Sequence, residues 1–259
     1  MQTIEHVIEQ ATDFLEQGQA KKAVEVLSRV QPQHENNDEL IVLLAEALSE
    51  NHQSRKALQL LETRAKSDQV GGELILALGD EYYAQDQLQA ARDSYQRLVS
   101  DDEFGAEALV RLGLLSFSEQ DYAAAERLFL QALEADGRCV AALNSLGDLC
   151  LEQNENAAAK AWYLKAIEAD NEDVEAAGNL AELLYEEGQF PEAEHYARQA
   201  LEQDQTYAPA WLTLGYLHLD QDQEREAARC FETFLRWEQS PAASDIIIEV
   251  KAVLGALRD

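Results

Sequence analysis

Apolar residues recur three and four apart along this chain, the spacing that lines one face of an α-helix. Leu109, Leu112 and Leu115/Ser116 form one such block, and Ala125, Phe129, Ala132 and Leu133 form the next. Short polar stretches separate them, SEQDYAAA at 118–125 and EEGQFPEA at 186–193. The blocks predict pairs of antiparallel helices joined by tight turns. Displaced by 34 residues, the sequence keeps one invariant column: Ala23, Ala57, Ala91, Ala125, Ala159, Ala193 and Ala227. Twelve residues before each alanine stands another small residue: Ala11, Ala45, Gly79, Gly113, Gly147, Ala181 and Gly215. Four residues after it comes a mostly large apolar column: Leu27, Leu61, Tyr95, Phe129, Tyr163, Ala197 and Phe231. No insertion or deletion breaks the register from residue 4 to residue 241.

Such columns have a packing reason. Two helices approach closely only where side chains are small, and larger neighbours fill the space beside them. Gly18 and Gly188 fall where a helix needs a left-handed C-terminal residue, and Pro191 falls where the next helix begins.

These columns resemble the tetratricopeptide repeat. Trp211, Leu214, Gly215, Ala227 and Phe231 match repeat positions 4, 7, 8, 20 and 24, and Leu143, Leu146, Gly147, Ala159, Tyr163 and Ala166 match positions 4, 7, 8, 20, 24 and 27. The units run 4–37, 38–71, 72–105, 106–139, 140–173, 174–207 and 208–241. The resemblance implies an all-α fold, a right-handed α-solenoid of seven hairpins in a single array over 1–259, with a C-terminal capping helix at 243–258. The pattern departs from the family in places. No unit has proline at position 32, Gln10 stands at position 7 of the first, and Arg64 replaces the small residue at position 27 of the second. In the closing segment Ser244 is the expected N-cap. Ile246, Val250, Val253/Leu254 and Leu257 make an apolar stripe that would cover the last hairpin. Ile247, Ile248, Ala252 and Ala256 leave its other side only weakly polar. A self-assembling structural module, pairing copies through this helix or the convex face, is therefore the alternative to a binding scaffold.

The net charge of -30 changes the picture of partners. Phosphate binding needs clustered Lys and Arg, so the balance argues against nucleic acid and against anionic membrane surfaces. No apolar run reaches the roughly 20 residues that span a bilayer, and the N-terminal residues carry no basic, apolar leader pattern. Cys139, Cys150 and Cys230 have unrelated spacings, which fits a reduced, cytoplasmic setting and offers no zinc motif. Cys150, Cys230 and His218 read as buried packing residues, and Cys139 falls in a loop. No nucleophile elbow, phosphate-cradling loop or H-E-x-x-H motif is present. The expectation is a protein that is not an enzyme and needs no cofactor or metal.

In the family the first helix of each hairpin lines a concave surface, chiefly through positions 2, 5, 6, 9, 12 and 13. Positions 2, 9 and 13 carry Glu73, Asp80, Glu107, Asp148, Glu152, Glu175, Glu182 and Glu186 among other acids, and never Lys or Arg. Position 12 adds Tyr83, Phe117 and Tyr185. These residues are the candidate protein-binding site, an acidic groove with an aromatic spine suited to a basic, partly apolar protein segment. Acids at position 2 also favour a helix N-terminus regardless of ligand, and diffuse acidity aids solubility. Yet Lys21, Arg55, Arg92, Arg127, Lys160, Arg198 and Arg225 all fall on second helices, with Arg111 the exception. Some family members grip a C-terminal carboxylate with Lys, Asn, Asn, Lys and Arg at the positions where this chain has Asn144, Asp148, Asn179, Pro209 and Thr213. Asn179 alone matches, so a carboxylate-tail receptor is not expected.

Overall fold

A computed structural model describes residues 3–67 and 69–257. Among them the secondary structure is fifteen α-helices and two single 3-10 turns. The chain divides into two compact units, Met1–Asp136 and Gly137–Asp259. Unit 1 holds four hairpins: α1 (Ile4–Glu16) with α2 (Ala20–Val30), α3 (Asp38–Glu50) with α4 (Ser54–Arg64), α5 (Gly72–Ala84) with α6 (Leu88–Gln96), and α7 (Gly105–Ser118) with α8 (Tyr122–Ala135). Unit 2 holds three: α9 (Val140–Glu152) with α10 (Asn156–Ala169), α11 (Val174–Glu186) with α12 (Phe190–Gln203), and α13 (Ala208–Asp220) with α14 (Glu224–Trp237), followed by α15 (Ser244–Ala256). Helices pack first within a hairpin, then against the next hairpin in the unit.

The alanine column sits at the centre of each hairpin. All seven alanines, Ala23 through Ala227, have no exposed surface. The two flanking columns are complementary pair by pair. Where the first helix has glycine, the second presents an aromatic ring: Gly79 to Tyr95, Gly113 to Phe129, Gly147 to Tyr163 and Gly215 to Phe231. A methyl group on any of these glycines would lie 2.3–2.5 Å from a ring carbon, far inside contact distance. Where the small residue is Ala11, Ala45 or Ala181, the partner column holds Leu27, Leu61 or Ala197 instead. Six of the seven crossings divide the volume between a small and a large residue in this way, as close-packed interiors favour; at Ala181 and Ala197 both residues are small.

The turns are equally uniform. Gly18, His52, Asp86, Gln120, Asn154, Gly188 and Asp222 all adopt positive φ, between 58° and 73°. They stand one repeat period apart, at the residue that closes each hairpin. In every hairpin the N–H of the following residue donates back to a first-helix carbonyl five residues earlier, from Gln19 to Phe14 through Gln223 to His218, at 2.7–2.9 Å. That bond caps an otherwise orphan carbonyl. The left-handed glycines expected at 18 and 188 are therefore two members of a seven-residue column, and Asn, Asp and His tolerate the same conformation better than most residues do.

Several expectations need correction. Ser244 is the first residue of α15 rather than its cap; Ala243 holds the cap position with no side-chain bond. The expected end of that helix at 258 lies outside the described residues. Its stripe packs with Val250 and Leu254 buried and Ile246, Val253 and Leu257 against the α14 core; Ile247, assigned to the other side, joins that core as well, while Ile248 is 65% exposed. Cys230 is buried, but Cys139 and Cys150 are half-buried. His218 is also only half-buried, with Nδ1 2.8 Å from Gln223 Oε1. Arg64, an oddity in its column, is 9% exposed. Its Nε lies 2.7 Å from Asp38 Oδ1, and its Nη2 donates to the Gln69 carbonyl at 2.8 Å.

Candidate functional site

The exposed face of the first helices carries the acidic positions, and each unit presents its own share. In unit 1 Glu73, Tyr83 and Glu107 are exposed, while Asp80 and Phe117 are half-buried. Asp80 and Glu107 come together through Arg111, the single basic residue of the first helices. Arg111 Nε donates to Asp80 Oδ1 at 2.9 Å and Nη2 to Glu107 Oε1 at 3.1 Å. The buried Tyr95 hydroxyl donates to the same Asp80 oxygen at 2.6 Å. Burial works against the Arg111 charge, but Asp80 and Glu107 outweigh it and hold the guanidinium more firmly protonated than usual. One positive charge is thus already set against two negative ones within this part of the face. Phe117 is occupied with Tyr122, the ring centroids 5.5 Å apart.

Unit 2 differs. Asp148, at the end of α9, accepts from the Tyr163 hydroxyl at 2.6 Å and from Asn179 Nδ2 at 3.2 Å. Glu175 and Glu182 stand on α11, separated by two helical turns and so on one side of it. Among the described residues no lysine or arginine forms an ion pair with any of the three. Their carboxyl groups are all held above the usual range. Desolvation does most of this for Asp148, against the opposing Tyr163 hydrogen bond. For Glu175 it is desolvation, then the charges of Asp148 and Asp173; for Glu182, desolvation and then Glu186. Glu175 and Glu182 are nevertheless open to solvent. Both therefore combine an exposed side chain with neighbouring protein that disfavours its charge.

Tyr207 stands beside α11. Its ring lies over that helix at Gly178, where a methyl group would be 2.4 Å from ring carbon Cε1. Burial and then the charges of Glu175, Glu182, Asp173 and Asp148 push its hydroxyl well above the ordinary tyrosine range. Further along, the Tyr185 hydroxyl donates to Asp220 at 2.9 Å and its ring stacks on Tyr216 at 6.1 Å. Burial, then Asp220, raises its pKa to about 12. Glu152 and Glu186 are exposed at the last residues of α9 and α11. Among the described residues no group of three or more His, Cys, Asp or Glu side chains could hold a metal ion, and no helix is long and apolar enough to cross a membrane.

Sequence models of the tetratricopeptide repeat match residues 76–136 and 117–174 in one form, and 14–78 and 184–246 in another. The chain belongs to the tetratricopeptide repeat family. No curated protein sequence matches it, but solved structures of the family do. A tetratricopeptide repeat protein from Parabacteroides merdae is 19% identical with a TM-score of 0.66, covering 98% of both chains. The pilF protein of Pseudomonas aeruginosa is 18% identical with a TM-score of 0.61, covering 82% of this chain and 97% of its own. At these identities the likeness is one of fold. Tetratricopeptide repeat proteins generally mediate protein–protein interaction, and no catalytic domain is identified here.

The raised carboxyls of this tetratricopeptide protein set the sign of a pH effect. An acid whose folded-state pKa is raised costs stability above that pKa, and the cost disappears as pH falls toward the ordinary value. Melting of the full chain is therefore expected to shift upward between pH 7 and about pH 5. The Glu175→Gln/Glu182→Gln variant should melt higher than the parent at pH 7 and gain less on acidification. Equal gains in the two proteins, read by circular dichroism, would assign the shift to general charge repulsion.

The sequence columns had named the acids but missed Tyr207, Asn144 and the blocking role of Arg111. A signal for Tyr207 existed: Gly178 is the one glycine at position 5 of any repeat, and Tyr207 the one tyrosine at position 34. The two become a pair only once the helices are packed.

Proposed function

We propose that this chain is a protein-interaction scaffold whose first-helix face binds a basic, partly apolar segment of another protein. The contributing residues are Glu73, Asp80, Tyr83, Glu107 and Phe117 in unit 1, with Asp148, Glu152, Glu175, Glu182, Tyr185 and Glu186 in unit 2. The observation that carries the reading is the trio Asp148, Glu175 and Glu182, none of which forms an ion pair with Lys or Arg among the described residues. A basic segment would relieve the repulsion among them, and the half-buried Tyr185 ring offers apolar contact in unit 2 as the exposed Tyr83 ring does in unit 1.

A labelled peptide of mixed Lys, Arg and Leu, followed by fluorescence anisotropy, tests this. Binding should weaken steeply as salt rises, because the exposed part of the interaction is screened over about 8–10 Å. Glu175→Gln with Glu182→Gln should weaken it at least about tenfold, roughly 1.4 kcal/mol, with an unchanged circular dichroism spectrum. Asp148 is a poor choice for charge reversal, since its loss would leave the buried Tyr163 hydroxyl without an acceptor. Salt-independent binding, or a double variant that binds like the parent, would remove the acidic face as the site.

A further inference from the structure

The carboxylate sites of the two units are one construction, repeated two periods apart with one exchange. Asp80, Tyr95, Glu107 and Arg111 occupy the columns that Asp148, Tyr163, Glu175 and Asn179 occupy in unit 2. In both, the tyrosine hydroxyl donates to Oδ1 of the aspartate at 2.6 Å. In both, the residue from the following first helix donates to that same oxygen, Arg111 Nε at 2.9 Å and Asn179 Nδ2 at 3.2 Å. Arg111 then reaches Asp80 Oδ2 at 3.4 Å and Glu107 Oε1 at 3.1 Å, so one guanidinium spans both acids. Asn179 is neutral and shorter; it donates to Asp148 alone, and neither Asp148 nor Glu175 forms an ion pair among the described residues.

A second, independent feature marks the same place. Asn144 is 2% exposed and precedes Asp148 by one turn of α9, on the same face. Its Nδ2 donates to Asp173 Oδ1 at 3.1 Å, and its amide also lies against Glu175. Its Oδ1 is buried with no donor. Leaving a buried acceptor unmet is costly, so this oxygen, near carboxylates, calls for a group rich in N–H donors. Tyr207 adds an aromatic wall to the same spot.

We propose that unit 2 carries an anchor pocket for an arginine side chain of the partner, formed by Asp148, Glu175, Asn144 and Tyr207, in the role that Arg111 fills internally in unit 1. The proposal rests on the first-helix face being the one that binds a basic segment. A guanidinium offers five donors in a planar fork and stacks on an aromatic ring. It can bridge two carboxylates and still carry donors left over for the Asn144 amide oxygen. An ammonium gathers its three donors on one atom, with no planar fork to span two carboxylates and no flat face to stack on a ring.

The test uses the full-length protein and labelled, end-blocked nonapeptides of Ser and Leu with one central arginine, lysine or citrulline. The arginine peptide should bind about tenfold or more tightly than the lysine peptide, and the citrulline peptide, lacking the charge, should not bind measurably. Asn179→Arg should fill the pocket from within, raising the melting temperature and abolishing the arginine preference. Should that variant not fold, Glu175→Gln serves in its place and should remove the preference too. Equal affinity for arginine and lysine, or an arginine preference that survives both substitutions, overturns the pocket while leaving the broader reading standing. If neither these peptides nor the mixed Lys, Arg and Leu peptide bind, both readings fall.

Discussion

Gly113→Ala is expected to destabilise the fourth hairpin, and Phe129→Leu on the same chain to recover most of the loss. The methyl group of an alanine would lie 2.4 Å from Phe129 Cε1, and Phe129 is completely buried, so the ring has nowhere to retreat. Overpacking of this kind costs about 1–3 kcal/mol, against which the better helix propensity of alanine returns at most about 1 kcal/mol. Phe129→Leu alone should also destabilise, by leaving space beside the glycine. Together the two substitutions recreate the Ala45–Leu61 pair that the second hairpin uses natively. A double-mutant cycle in denaturant should show a favourable coupling of about 0.5–3 kcal/mol. Simple additivity would mean that the complementary columns do not describe the packing.

Arg64→Ala should have the larger single effect. Asp38, at the start of α3, accepts from the Gly71 N–H at 2.6 Å as well as pairing with Arg64. The guanidinium thus joins the end of α4, the α3 N-terminus and the approach to α5. Removing one partner of a buried pair costs about 3–5 kcal/mol, because the other charge stays behind. Asp38 keeps some access to water, which puts this case toward the lower end. Arg64→Ala with Asp38→Ala should cost less than the sum of the single changes. Hydrogen exchange should place the damage in α3, α4 and the N-terminal end of α5. An Arg64→Ala protein that melts like the parent would reduce the pair to a surface contact.

These two cases show what the linear sequence reveals and where it stops. The alanine column and its neighbours were legible because close helix crossings demand small residues at a fixed spacing, and that demand is local to one hairpin. Arg64 looked like a blemish in its column, since its partners lie in α3 and in the loop before α5, outside its own helix. Arg111 was visible as the exception to the sorting of charge. Its pairing with Glu107 is local to one helix, four residues apart, but its hold on Asp80 depends on a 31-residue separation that only packing converts to 2.9 Å. Ser244 failed as a cap because the 3-10 turn at Pro241–Ala243 delivers the chain into α15 one residue earlier. The acids of the candidate site could be named from their columns, but not which of them keep an unbalanced charge, since that follows from neighbours one hairpin away.

The left-handed turn residues also govern how such a chain can grow. Each hairpin closes through one positive-φ residue and one backward hydrogen bond, with no spare link to absorb an added amino acid. An insertion there would rotate the second helix away from its glycine or alanine notch. The stretches joining one hairpin to the next vary instead: 31–37 includes a 3-10 turn, and in 97–104 Asp101 Oδ1 accepts from the N–H groups of Glu103 and Phe104. Lengthening during divergence is thereby steered to those joints, and the fixed stride of the motif is a property of its corners as much as of its rods.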